Sequence, residues 1–258
     1  MLNPALQDCG QFSKLVSLMP AHTAAEAAVA LPQFLAAANL LTETEVALTT
    51  DALDVSNLLE HIIAVAGAEW DFFGKQSYDG GGHLVHAGHT EGEEGFYERI
   101  GTYWLVGTGT HSVDGRNHDM PWSAAFISWV FRTAGAGTRF RYSTQHSVYI
   151  SQGIRDFLNK RTDAGFGCMR LNERQPQPGD LVCWSRQQGI DYDHQNGGNY
   201  AGHTDIVTKV SDGQVFVIGG NVGDSVSRRI LRTNSSGFLN PVAQGGETLF
   251  GLMANRLG

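Results

Sequence analysis

Residues 203–221 read HTDIVTKVSDGQVFVIGGN, and this stretch decides the fold. Two runs rich in β-branched residues flank Ser211-Asp212-Gly213, a hairpin signal. Period-two alternation places His203, Asp205 and Val207 on one face of the first strand, and Thr204, Ile206 and Thr208 on the other. An aspartate inside a strand is costly unless paired or exposed. A histidine and an aspartate on one face therefore read as a polar site.

Outward from the hairpin, QPQPGDLVCWSR (175–186) reads as a turn followed by a strand, and LFGLMANRL (249–257) as a closing strand. The first half is different. Residues 20–73 look helical, rich in Ala and Leu, with Leu58, Ile62, Val65 and Trp70 approximating one stripe. EGFYERIGTYWLVGTG (94–109) and TQHSVYISQGIRDFLNK (144–160) also read as helices. Glycine-rich 76–92 and polar 110–119 read as loops. Helices first and antiparallel strands later predict an α+β fold, with N-terminal helices packed on an antiparallel β-sheet. The expected division is a helical extension over 1–51 and a catalytic domain over 52–258.

Composition narrows the function classes. The 258 residues carry a net charge of −8 without a basic run, which argues against nucleic acid and anionic membrane surfaces as partners. No apolar stretch is long enough to span a bilayer. The three cysteines, Cys9, Cys168 and Cys183, offer no CxxC pattern and no disulfide framework. The first twenty residues lack the basic start and apolar core of a secretory signal, so the expectation is cytoplasmic synthesis followed, where the protein acts elsewhere, by a specialised export route.

Within PWSAAFISWV (121–130), Ser123 heads an almost wholly apolar helix, with Asp119 expected as its N-cap and Pro121 in its first turn. Free N–H groups and the helix dipole at that end favour negative charge, as a nucleophile and an oxyanion require. A serine nucleophile needs a base, and His203, at the start of a rigid strand, is the candidate. Asn221 or Asp205 would orient its ring. A two-residue Asp212-Gly213 loop turns Asn221 away from His203. A three-residue loop, or a bulge at Gly219-Gly220, brings Asn221 opposite.

PWSAAFISWV, PGDLVCW, GHTDIV and VIGGN, in that order, resemble the papain-like cell-wall amidases of the CHAP and NlpC type. They resemble more closely a poorly characterised bacterial domain family grouped with them, over roughly 52–258. The resemblance implies a papain-like fold that cleaves amide bonds in peptidoglycan peptides, with the nucleophile on Ser123, the histidine on His203 and the orienting residue on Asn221. It implies no cofactor. It also implies an exported effector with an immunity protein or secretion-system carrier as partner. The closer family shares the Ser/Thr-x-His pattern before a tyrosine at His146, expected to line the substrate cleft with Trp122 and Asp119. The better-known enzymes carry a cysteine at the position of Ser123. A serine there is either the closer family's own nucleophile, an engineered replacement, or the mark of a binding site without hydrolysis. Serine cannot be pre-ionised as a thiol can, so its contact with the base is more demanding.

Two other clusters invite a metal reading. His83, His86 and His89 lie in a glycine-rich loop without the HExxH spacing of a zinc hydrolase. Asp191, Asp193 and Asn196 depart from the EF-hand spacing. No metal is expected at either.

Overall fold

The computed structural model describes residues 55–257. The expected helical extension over 1–51 and Cys9 lie outside the described residues. The rest is α+β. Four helices, α1 (Val55–Phe72), α2 (Phe96–Thr108), α3 (Ser123–Thr133) and α4 (His146–Leu158), pack on one curled, mostly antiparallel sheet. Its strands are β1 (Ser77–Tyr78), β2 (Leu84–His86), β3 (Phe166–Met169), β4 (Leu181–Ser185), β5 (Gly202–Ser211), β6 (Gln214–Gly219), β7 (Ser227–Arg232), β8 (Ala243–Gln244) and β9 (Glu247–Asn255). The sheet order is β2-β1-β7-β6-β5-β4-β9-β3, with β8 hairpinned onto β9. The loop expected over 76–92 therefore contains two short strands.

Helix α3 is the central element. Every residue except Arg132 is buried, because helices lie beside it and the sheet lies beneath. Leu58, Ile62 and Ala66 of α1 share its core with Phe126, Trp129, Ile150, Ile206 and Ile218. A second core on the other side of the sheet holds Val182, Trp184, Val207, Val217 and Leu252. Strand β5 thus has apolar partners on both faces. Ile206 meets the helices and Val207 the second core, as alternation requires.

The β5–β6 hairpin closes through Asp212 (φ 53°) and Gly213 (φ 74°), two left-handed residues that suit the right-handed twist of the strands. The extra residue lies neither in the turn nor at Gly219-Gly220. Ser211 pairs with Gln214, Lys209 with Phe216 and Val207 with Val217, so Thr208 is the bulge.

Candidate functional site

Ser123 is the first residue of α3. Asp119 does not cap the helix: Trp122 occupies the N-cap position and no side chain caps the end. The reason is local. Asn117 turns the chain at Met120, and the Trp122 indole is fixed in the core by a 2.6 Å hydrogen bond to the buried carboxylate of Glu91. The first helical bond runs from Phe126 N–H to the Trp122 carbonyl. The amides of Ser123, Ala124 and Ala125 thus gather at the helix mouth, where a developing negative charge is favoured.

The imidazole facing that mouth is His146, the first residue of α4. Its Nε2 lies 2.7 Å from Ser123 Oγ. Its Nδ1 lies 3.0 Å from Thr204 Oγ1 and also contacts the Tyr149 hydroxyl, which is itself 3.1 Å from Thr204 Oγ1. Ser123 and His146 are 2 % and 4 % exposed. Burial, reinforced by the neighbouring His203 ring and Arg186 guanidinium, holds the His146 imidazole well below the ordinary histidine value. Burial pushes the Tyr149 phenol well up, so it keeps its proton.

His203 lies beside this pair, its ring centroid 5.1 Å from that of His146, but both its nitrogens are engaged elsewhere. Nε2 is 2.9 Å from Asp205 Oδ1, and Nδ1 is 3.3 Å from Arg186 Nη2. A guanidinium only donates, so Nδ1 accepts and the ring proton sits on Nε2, donated to Asp205. The ring of contacts continues through Arg229, which binds Asp205 and, at 2.8 Å, Glu247. Arg186 binds Glu247 and closes it. Trp184 Nε1 donates to Asp205 at 2.9 Å. Burial opposes ionisation of Asp205, but Arg229 and His203 outweigh it and hold the carboxyl below the usual carboxylate range.

Four of the expected residues, Ser123, His146, His203 and Asp205, are therefore brought together, but paired differently. Ser123 meets His146, and Asp205 is the residue that orients His203. Alternation explains the exchange: the face of β5 that meets α3 and α4 carries Thr204 and Ile206, while His203 and Asp205 share the side of Val207. Asn221 is left-handed (φ 55°) beyond the last β6–β7 pair, Gly219 with Ser227, and makes no hydrogen bond to His203. Trp122 is a core residue packed on Phe73, Tyr103 and Phe126, and Asp119 is exposed in the preceding loop. Sequence reasoning missed Tyr149, Thr204, Arg186, Arg229 and Glu247. Only Tyr149 had a local signal, three residues after His146 and hence on a neighbouring helix position.

The loop histidines disperse. His83 pairs with Asp79, His86 with the Gly74 carbonyl and His89 with Glu93. Asp191 binds the amides of Asp193 and His194, Asp193 pairs with Arg170, and Asn196 binds the Asn199 carbonyl. Among the described residues no group of three or more His, Cys, Asp or Glu converges as metal ligands would, and no helix is long and apolar enough to cross a membrane.

Fold and site together define an α+β protein with a buried serine–histidine pair at a helix mouth, backed by a ring of charged side chains. The profile of a bacterial family described as "Uncharacterized protein conserved in bacteria (DUF2272)" matches residues 91–248, and the chain belongs to that family. The matched stretch takes in Ser123, His146, His203, Asp205, Arg229 and Glu247. No curated protein and no solved structure matches the chain.

Proposed function

We propose that the protein is a hydrolase of papain-like architecture that cleaves amide bonds in the peptides of bacterial peptidoglycan. In this reading it is an exported antibacterial effector acting in a target cell's periplasm, with an immunity protein as its natural antagonist. Ser123 attacks the carbonyl, His146 takes its proton and returns it to the leaving amine, and the amides at the α3 mouth hold the oxyanion. His203 is a positioning residue that walls the His146 ring. The observation that carries the reading is the 2.7 Å contact between Ser123 Oγ and His146 Nε2 at an uncapped helix end. The amide and peptidoglycan assignments rest on the resemblance of the motif order to CHAP and NlpC enzymes.

A positioned general base contributes about 10²–10⁴-fold. His146→Ala should lower muropeptide release from purified sacculi by that factor, and Ser123→Ala by at least as much. Equal release by wild type and His146→Ala overturns the assignment. The burial of Ser123 favours a second reading, a non-catalytic module on the same fold that binds cell-wall glycan or peptide. Muropeptide binding by the wild type, with no turnover even after Ser123→Cys, would select it.

A further inference from the structure

We propose that residues 194–199 form a flap that must lift from α4 to admit substrate to Ser123. This rests on the Ser123–His146 reading and adds a gate to it. The connection between β4 and β5 is pinned at two posts. Tyr192 is buried and its hydroxyl donates to the Cys168 carbonyl at 2.8 Å. Tyr200 is buried beside Phe250. Between the posts the chain is held to α4 by one side chain, Gln195, whose Oε1 accepts from Ser151 Oγ at 3.2 Å and from the Tyr200 hydroxyl at 2.8 Å.

The tip itself bends through Asn196, Gly197 and Gly198, at φ 43°, 65° and 85°. Glycine takes this left-handed backbone without steric cost. Gly198 rests on Ser151 and on the Ser147 carbonyl: a Cβ there would lie 3.2 Å from Ser151 Oγ and 3.9 Å from Ser147 O. The flap therefore sits over the first turns of α4, the helix that begins with His146. Ser147, next to His146, has a buried hydroxyl without a hydrogen-bond partner. A buried polar group left unpaired is unfavourable. Ser123 is 2 % exposed, so a substrate needs an opening, and that opening is assigned to this flap.

Two measurements test the gate. The first reads access without catalysis: iodoacetamide alkylation of the Ser123→Cys thiol, mapped by mass spectrometry, with and without Gln195→Ala. Removing the Gln195 clasp should speed alkylation by about threefold to tenfold, the equivalent of one or two neutral hydrogen bonds. Equal rates overturn the flap. The second uses Ser151→Cys with Gly198→Cys, whose Cβ atoms would be 3.3 Å apart, close to the roughly 3.5–4.5 Å of a disulfide. Muropeptide release should be lost on oxidation and return with reductant, and an oxidised protein as fast as the reduced one also overturns the proposal. Absence of turnover in every form defeats the hydrolase reading, while alkylation still decides the flap.

Discussion

His146 can carry its proton in two ways, and only one makes it a base. If Tyr149 donates to Nδ1, the ring proton sits on Nε2 and points at Ser123. If Tyr149 donates to Thr204 Oγ1, the phenol oxygen accepts from Nδ1–H, and the Nε2 lone pair faces the serine hydroxyl. Thr204 is thus the acceptor that frees Nε2. Thr204→Val removes it and leaves His146 Nδ1 as the acceptor for Tyr149. kcat/KM should fall by about 10²–10⁴-fold, the worth of a general base. Tyr149→Phe should cost less, because Nδ1–H still has Thr204. Nitrogen NMR of His146 should show the proton moving to Nε2 in Thr204→Val, and a larger loss in Tyr149→Phe than in Thr204→Val would refute this assignment. Ser123 was legible in the sequence because a hydroxyl stands out at the head of an apolar run. Its partner was not: His146 lies 23 residues away, and the pairing depends on where α4 begins and which face of β5 looks at it.

Helix α3 reached its buried position through a close crossing with α2, which holds Ser123 steady. Gly107 makes that crossing possible. A Cβ there would lie 2.6 Å from the Ala125 carbonyl oxygen and 2.8 Å from the Trp129 amide nitrogen, both backbone atoms that cannot swing aside. Gly107→Ala should therefore destabilise the fold by about 1–3 kcal/mol, against the usual gain of helix propensity from alanine. Thermal unfolding that leaves the midpoint unchanged or raised would contradict this packing. Elements with strong local patterns were readable: α3 from its apolar run, α4 from helical spacing, and β5 and β6 from β-branched content around Asp212-Gly213. Strand β3 was not, because four residues with a central Gly167 carry no alternation, and β9 supplies the pairing partner. Strand β7, with Arg228, Arg229 and Arg232, has no obvious buried face. Arg229 is buried because Asp205 and Glu247 come to it from two other strands. The bulge at Thr208 likewise depends on pairing across the hairpin rather than on a glycine.

The paired charges and buried imidazole give the whole molecule a pH dependence with a definite sign. His146 is held well below 6.5 by burial, with His203 and Arg186 adding to the effect. The unfolded chain therefore takes up this proton first, and stability falls as pH drops below about 6.5. Asp205 and Glu247 are pushed up by burial, but the facing cations outweigh this and leave both below their ordinary values of 3.8 and 4.5. Their stabilisation is present above those values and is lost as pH falls through the lower folded values. Asp180 has the opposite sign, raised above 3.8 by burial, so it recovers some stability in acid. His118 and His194 are raised by their bonds to Glu91 and Asp191. They stabilise fully below 6.5 and lose that contribution as pH rises through the folded values. Both are exposed and contribute little. The expected unfolding midpoint is therefore highest near neutrality and falls between pH 7 and 5, at up to about 1.4 kcal/mol per pH unit for one differential proton. His146→Gln removes the titrating group while keeping a polar side chain, so its midpoint should be flatter over that interval. A wild-type midpoint independent of pH from 7 to 5, or a slope unaltered in His146→Gln, would show that His146 is not held neutral within the fold.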